Sequence, residues 1–482
     1  MSMLNIQEGR LPVRYLGLPL VASKPSFMDC KILVDKLLRR TFSWMSNSLS
    51  FGGRLQLLKS VLFSIQVFWC TTFILPAAVL KKCDSILRSF LWHGLGNTKR
   101  AGKVAWWKVC RPESVGGLGI KDSRTWNRAA IMKCAWDICN RKETVWTKWC
   151  NVVLLKDKFF WTAPIIGNCS WGWRNILASR KFMHRRILYE VKDGNTFSLW
   201  FDPWYQGETI ASVFGQRVIL DSGLPRAAKV STVISENRWD WPLNSVNLLD
   251  ISNTTSLIPL PAGCDAIHWL KKGSTFTIQE AWKAISPQSQ DVPWFKVVWF
   301  PQRIPKHSFC VWLSFMQGHR TLDKLTRFGV VSSSACVFGC GQEESLDHLF
   351  FACPYTASIW NFFLAKYGFN RRCRGWNVEA TWCIQRLQGN SHNIWLTKLT
   401  LAAVMYHCWV ERNNRCFNNE YRNSDCLIQE ISSVIECRCR GLAHVEMLGS
   451  RQACNSCDLD RWAFWQIPWD LVTLFPLLVC RV

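Results

Sequence analysis

The sequence predicts an α+β protein that is mostly helical and is divided into five consecutive regions. Three observations support this fold class. Apolar residues recur every three or four positions through most of the first 150 residues, as they do on one face of a helix. The middle of the chain alternates apolar and polar residues around short turn sequences instead. Further on, cysteine and histidine crowd into one short stretch, and helical periodicity returns after it.

The first region, residues 1–150, is predicted to be helical. Helices are expected at 26–40, 54–68, 78–92 and 123–139. Two glycines precede the second of these, and Ser50 has the hydroxyl expected of a residue that caps a helix N-terminus.

The apolar stretch at 61–80 is long enough to cross a bilayer. We interpret it as a buried helix that ends near Pro76, because Gln66 and three hydroxyl residues dilute its hydrophobicity and proline interrupts it. No membrane partner is therefore predicted.

The second region, 151–262, is predicted to be a small β and irregular linker. Alternating residues at 186–191 and 196–200 flank Asp193 and Gly194, a pattern typical of a β-hairpin. Residues 205–262 hold scattered serine, asparagine, proline and glycine, so we expect them to be irregular and poorly packed. A further hairpin is expected within 265–278, around Lys272 and Gly273.

The third region, 263–368, contains the motif C-x₃-C-x₇-H-x₄-C, formed by Cys336, Cys340, His348 and Cys353. Three thiolates and one imidazole satisfy the tetrahedral preference of Zn²⁺, and a turn between the first two cysteines lets both sulfurs reach one ion. Glycines on both sides of Cys340 suit such a turn. The region is therefore predicted to be a small, α-rich zinc-binding module, with helices across 306–315 and 355–367.

The competing interpretation is that these four residues are ordinary buried side chains, because the chain has 23 cysteines and some must fall near a histidine by chance. No secretory signal is recognised at the first residues. The cysteines are accordingly interpreted as reduced thiols and metal ligands of a protein that is nuclear or cytoplasmic and not secreted.

The last two regions are a C-terminal helical segment at 369–425, with a helix at about 395–415, and a divergent tail at 426–482. The tail holds two nearby carboxylates, Asp458 and Asp460, which we interpret as a solvated turn.

The chain carries 59 basic and 34 acidic residues, a formal net charge of +25. A charge of this size indicates a polyanionic partner, and RNA or DNA is the first candidate. Many of the 29 tryptophans adjoin a lysine or arginine, as Trp107 adjoins Lys108. Such pairs can stack bases and neutralise phosphates, although a tryptophan taken singly is more often a packing residue.

Several short motifs follow one another in a recognisable order, and the cysteine and histidine motif comes last. They are YLGLPL at 15–20, SLSFGGR at 48–54, LKSVL at 58–62, LP at 75–76, FLW at 90–92, GGLGI at 116–120, SWGW at 170–173, LW and DPW within 199–204, and PK at 305–306. This order resembles the C-terminal half of the polyprotein of plant LINE-type, non-LTR retrotransposons. In those polyproteins a reverse transcriptase is followed by a reverse-transcriptase zinc-binding domain.

The resemblance implies that residues 1–150 are thumb-like and connection helices and that 263–368 is the zinc-binding domain. It also implies that Cys336, Cys340, His348 and Cys353 hold a structural Zn²⁺. Reverse transcriptases bind two magnesium ions through a palm motif that ends in adjacent aspartates, and this chain has no Asp-Asp dipeptide. We therefore expect a truncated remnant that lacks the catalytic palm, the endonuclease and a ribonuclease H domain, with no catalytic residues and no enzyme activity.

The predicted residual activity is nucleic-acid binding. Basic residues near the zinc motif are expected to contact phosphates, and Trp312 or Phe315 to stack on bases. The basic candidates are Arg303, Lys306, Arg320, Lys324 and Arg327. Two alternatives remain: a zinc-stabilised protein-interaction module that binds a partner through exposed apolar surface, or the non-functional product of a pseudogene.

Overall fold

Helices dominate the part of the chain that the structure describes. The computed structural model describes residues 13–21, 23–44, 49–94, 102–156, 158–167, 169–287 and 290–449. Within these residues the strands are short and pair in twos. The mostly helical α+β class predicted from the sequence is confirmed.

The N-terminal region begins with a two-stranded antiparallel ribbon of β1 (Val13–Tyr15) and β2 (Leu18–Leu20). Its helices are α1 (Lys31–Ser43), α2 (Phe51–Leu57), α3 (Phe63–Thr72), α4 (Ala77–Trp92), α5 (Trp106–Val109), α6 (Ser123–Cys139) and α7 (Val145–Trp149). A π-helical turn, Leu58–Leu62, joins α2 to α3, and another, Cys150–Leu155, follows α7.

The four helices predicted in this region are all present. The first begins at Lys31, five residues later than expected, because Ser26 and Asp29 form a turn in which each backbone N–H donates to the other's side chain. The Ser50 hydroxyl accepts the backbone N–H of Gly53 at 3.1 Å, which confirms the predicted cap of α2.

The apolar stretch at 61–80 is split between two helices. Helix α3 ends at Thr72, and Pro76 precedes the first residue of α4. Gln66 is fully buried in this stretch. Across the described residues, we find no helix that combines the length and the apolarity a membrane crossing requires.

The predicted hairpins of the middle region are wrong. Strand β3 (Ile187–Glu190) pairs antiparallel with β6 (Ala266–Trp269), far along the chain, and not with residues 196–200. The turn at Asp193–Gly194 does exist, but the carboxylate of Asp265 holds it by accepting the backbone N–H groups of Lys192, Gly194 and Thr196. The two predicted hairpins are therefore two halves of one non-local pair.

Residues 205–262 are folded, contrary to the expectation that they are irregular and poorly packed. Buried side chains such as Val218, Val233 and Ile251 anchor them. A hairpin of β4 (Ile234–Ser235) and β5 (Arg238–Trp239) turns at Glu236 and Asn237, which both have positive φ. The helices of the middle region are α8 (Trp171–Ala178), α9 (Arg180–Met183), α10 (Ile210–Val213), α11 (Arg217–Ser222) and α12 (Val246–Thr255).

The C-terminal part is helical, as predicted. Its helices are α13 (Ile278–Ile285), α14 (Phe295–Val298), α15 (Pro305–Phe315), α16 (Leu322–Arg327), α17 (Pro354–Lys366), α18 (Trp376–Arg386), α19 (His392–Phe417) and α20 (Ser424–Gly449). Helix α20 buries Leu427, Ile431 and Ile435, four residues apart, so the segment expected to be a divergent tail begins as a packed amphipathic helix. Asp458 and Asp460 lie outside the described residues.

The N-terminal helices pack directly against the C-terminal part. At Gly52 a Cβ atom would lie 2.7 Å from the backbone nitrogen of Lys306, so only glycine permits this approach of α2 to α15. Phe51 stacks on Phe309 with ring centroids 5.6 Å apart. The buried apolar side chains form one continuous core that extends from the N-terminal region to α20.

Candidate metal centre

The first half of the site is a tight loop that presents two cysteines. The backbone N–H of Cys336 donates to Gln342 at 2.8 Å, and the N–H of Gly339 donates back to Cys336 at 3.1 Å. Gly339 and Gly341 have φ of +75° and +77°, which are left-handed values that favour glycine. The left-handed turn at Gly339 thus accommodates the three residues between the two cysteines, and Cys340 remains within reach of the other three side chains.

The second half is a π-helical turn, His348–Ala352, that leads into α17. The backbone N–H of Cys353 donates to the His348 carbonyl at 2.8 Å and closes this turn. Pro354 then begins α17, with its fixed φ in the first helical position. Histidine and cysteine are therefore placed on the same side of one turn.

The four predicted ligands converge on one point. Their donor atoms all lie within 4.8 Å of one another. The Sγ atoms of Cys336 and Cys353 are 3.9 Å apart, and Cys340 Sγ is 3.1 Å from His348 Nε2. Tetrahedral zinc with Zn–S bonds of about 2.3 Å separates its sulfur ligands by roughly 3.8 Å. The donor set and its spacing fit Zn²⁺ with four protein ligands.

The electrostatics favour a thiolate at the start of α17. A hydrogen bond from the Cys336 thiol, together with backbone N–H groups of Tyr355 and Thr356, lowers the pKa of Cys353 to about 5. The same hydrogen bond, with burial, raises the pKa of Cys336. Metal ligation requires deprotonated sulfur. The N-terminus of α17 already stabilises the deprotonated form of Cys353.

An apolar layer lies beneath the four ligands. Leu349, Phe350 and Phe351, all within the π-helical turn, are at most 1% exposed. On the loop side, Phe338 stacks on Tyr355 with centroids 4.6 Å apart. This packing excludes water from one side of the site and fixes the loop against α17.

Comparison with known proteins assigns this region. Residues 276–360 match the family model described as zinc-binding in reverse transcriptase. The chain contains a reverse-transcriptase zinc-binding domain. The resemblance to the C-terminal part of a plant LINE-type reverse transcriptase is thereby supported by the match and by the geometry of the four residues.

Two curated plant relatives extend the similarity beyond the zinc-binding domain. A putative ribonuclease H protein of Arabidopsis thaliana is 27% identical over 351 residues, which is 68% of this chain and 54% of that protein. An uncharacterized mitochondrial protein of the same plant is 29% identical over 153 residues, which is 30% of this chain and 96% of that protein. The match to the first relative thus spans about half of its length. Together with the matched zinc-binding region, these similarities support the derivation of the chain from a retroelement.

A buried ion pair ties the zinc-binding domain to α19. Arg412 donates to both carboxylate oxygens of Glu344, with the shortest contact at 2.8 Å, and the two side chains are 3% and 0% exposed. Glu344 also accepts the backbone N–H of Leu322 at 3.0 Å. The sequence did not reveal this pair because its members are 68 residues apart and resemble ordinary surface charges.

The five basic residues predicted to contact nucleic acid lie at two places in the zinc-binding domain. Arg303 and Lys306 lie at the start of α15, where Lys306 is exposed and its Nζ lies 4.9 Å from the Tyr406 ring centroid. Arg320 and Arg327 are exposed around α16. Lys324 is half-buried, and its Nζ donates to the carbonyls of Gln317 and His319.

The predicted stacking role of Trp312 is wrong. Trp312 is fully buried, and its Nε1 donates to the Gly116 carbonyl at 3.0 Å. Phe315 is half-buried and stacks on Trp294, with centroids 4.9 Å apart. Trp312 therefore joins the zinc-binding domain to the N-terminal region, and no face of its indole is available to a base.

Proposed function

We propose that Cys336, Cys340, His348 and Cys353 hold a structural Zn²⁺ and that the protein binds RNA or DNA without catalysing a reaction on it. The convergence of four donors within 4.8 Å carries the first part of this proposal. Four protein ligands fill the tetrahedral sphere, so no position remains for a water or a substrate. The bound ion would supply folding energy to a loop that buries little apolar surface of its own.

The zinc assignment is tested by the metal content of purified protein. We expect about one zinc per chain in the wild type, and loss of most of it in Cys353→Ser and His348→Ala, because three ligands bind Zn²⁺ more weakly than four. Cys426→Ser is the matched control, since it removes an exposed cysteine outside the cluster. Equal zinc in all four proteins would overturn the assignment.

The proposal that this chain is not an enzyme is supported by the lack of an Asp-Asp dipeptide in its 482 residues. Adjacent aspartates are the magnesium ligands of a polymerase palm. The purified chain should neither extend a primer on a template nor cleave RNA in a hybrid when Mg²⁺ is supplied. Either activity, retained through purification and abolished by substitution of a carboxylate of this chain, would contradict the proposal.

Nucleic-acid binding is supported by the net charge of +25 and by the exposed basic residues around α15 and α16. Binding that depends on phosphate contacts releases counterions, so the logarithm of the affinity should fall linearly with the logarithm of salt concentration. Titration of a labelled oligonucleotide between about 50 and 200 mM salt measures this slope. A flat response, with protein partners retained after nuclease treatment of an extract, would favour a protein-interaction module instead.

A further inference from the structure

Trp107 is the one tryptophan among the described residues whose side chain is mostly in water. It is 58% exposed, whereas the other described tryptophans are buried or half-buried. Apolar side chains that are exposed singly are common on protein surfaces, so the exposure of Trp107 gains meaning only from the charged groups beside its ring.

The segment that presents Trp107 is firmly anchored. Val104, just before the single turn of α5, and Val109, its last residue, are 7% and 0% exposed, so both ends of the turn are held in the core. Upstream, Lys103 Nζ lies 4.6 Å from the centroid of the Phe51 ring, which belongs to α2. The exposure of Trp107 therefore results from a fixed backbone and not from loose packing.

Two cations flank the indole of Trp107. The guanidinium carbon of Arg111 lies 4.5 Å from the ring centroid, and Lys108 Nζ lies 5.5 Å from it. Within the described residues, neither cation forms a salt bridge with a carboxylate. No acidic residue occurs from 102 to 112. In the part of the chain that the structure describes, Lys108 and Arg111 thus have no carboxylate partner.

We propose that Trp107, Lys108 and Arg111 form a binding site for single-stranded nucleic acid, in which the indole stacks on an unpaired base and the two cations contact the adjoining phosphates. This inference deepens the nucleic-acid binding proposed above and rests on it. An exposed aromatic ring beside cations is the arrangement by which proteins hold single strands without reading their sequence. The bases of a duplex are already stacked on each other, so they offer no face to such a ring.

The site lies where the N-terminal helices meet the zinc-binding domain. The loop that follows it contains Gly116, whose carbonyl accepts the indole N–H of Trp312, and Ser114, whose carbonyl accepts the backbone N–H of Val292 at 2.7 Å. A strand held at Trp107 is therefore bound next to the junction of the two parts. Trp312, which the sequence predicted to stack on a base, is buried within this junction. Trp107 is the tryptophan whose ring is exposed beside it.

The test uses two fluorescent single strands of equal length, one with normal bases and one with abasic sugars, which keep the phosphates but remove the stacking partners. Wild-type full-length protein should bind the normal strand roughly tenfold more tightly than the abasic strand, at the low end of what one stacked base contributes. Trp107→Ala should abolish this preference, and Trp107→Phe should retain part of it. The control Phe417→Ala removes another exposed aromatic residue, 76% exposed, and should keep the full preference.

The phosphate contacts are tested by the salt dependence of binding to the normal strand. Lys108→Ala and Arg111→Ala should each lower the slope of log affinity against log salt by roughly 0.7, the value for one phosphate contact in a single strand. Lys36→Ala removes an exposed lysine of α1 and should leave the slope unchanged. A glutamate peptide of matched charge should compete poorly with the strand, because it offers no base to stack.

Three outcomes would overturn the inference: an unchanged base preference in Trp107→Ala, unchanged salt slopes in both cation variants, or equal competition by the acidic peptide. If the wild type binds no single strand at all, the proposed nucleic-acid function fails first. If the wild type binds strands and Trp107→Ala binds them identically, only the site assignment fails.

Discussion

At the scale of single residues, the convergence of the four cysteine and histidine side chains was predictable, because they lie within eighteen positions of one another. The stacking residue was not predictable. Trp312 and Trp107 both belong to aromatic segments that contain lysine, and only the tertiary structure buries one and exposes the other. The Glu344–Arg412 pair was also hidden, since its partners lie in different regions of the sequence.

The buried pair leads to a prediction about stability. Arg412→Met keeps much of the side-chain volume but leaves the Glu344 carboxylate buried without its counterion, so it should lower the free energy of unfolding by about 3–5 kcal/mol. The double variant Glu344→Gln/Arg412→Met should lose considerably less, because no uncompensated charge remains. Urea unfolding of the two single variants and the double variant measures the coupling.

A matched control for this prediction is Arg327→Met. Arg327 pairs with Asp323 at 2.6 Å, but its side chain is 70% exposed, so the loss should be below about 1 kcal/mol. Equal losses in Arg327→Met and Arg412→Met would show that burial of the Glu344–Arg412 pair contributes nothing.

At the scale of elements, the predicted helices were found and the predicted hairpins were not. Helix α6 has the predicted ends, and α4 begins one residue before its predicted start, because apolar periodicity and caps are local signals. Strands β3 and β6 each have alternating residues beside a turn, which favours a local hairpin. In the structure they pair with each other, and the carboxylate of Asp265, just before β6, closes the turn of the first segment. No local pattern specifies such a pairing.

Helix α15 leads to a prediction about pH. His307 on α15 is fully buried, and neither ring nitrogen has a hydrogen-bond partner among the described residues. Burial, followed by the neighbouring His407 and Lys306, lowers the pKa of His307 to about 3. The folded protein therefore keeps this imidazole neutral, while the unfolded chain takes up a proton near pH 6.5. The contribution of the neutral His307 imidazole to the free energy of unfolding is complete above pH 6.5. It declines as the pH falls from 6.5 towards 3.

For His307 alone, acidification from pH 7.5 to pH 5 should lower the free energy of unfolding by about 2 kcal/mol. His307→Phe retains an aromatic ring beside Tyr406 and removes the titrating group, so its stability should fall less over this range. Urea unfolding at both pH values measures the difference. His392→Phe, at an exposed position of α19, should retain the wild-type response. The same response in His307→Phe would show that this imidazole does not limit acid stability.

At the scale of the whole molecule, a chain of contacts connects the candidate metal centre to the N-terminal helices. Arg415 of α19 lies 4.9 Å from the ring centroid of Phe338, which is inside the cysteine loop. Helix α19 packs on α15, and α15 packs on α2 through Gly52 and the stacked rings of Phe51 and Phe309. Within the described residues the buried apolar side chains of these elements belong to one continuous cluster, which favours cooperative unfolding.

This continuity predicts how the protein responds when the metal is removed. If the four cysteine and histidine ligands bind zinc, a chelator should lower the temperature of one cooperative transition, because the loop, α19, α15 and α2 share their packing. Calorimetry detects the transition of the whole chain. Hydrogen exchange should show that α2 and α15 lose protection together with residues 336–353, although α2 contains no ligand. A separate transition at lower temperature, confined to residues 336–353 and leaving α2 unchanged, would show that the metal stabilises only its own loop.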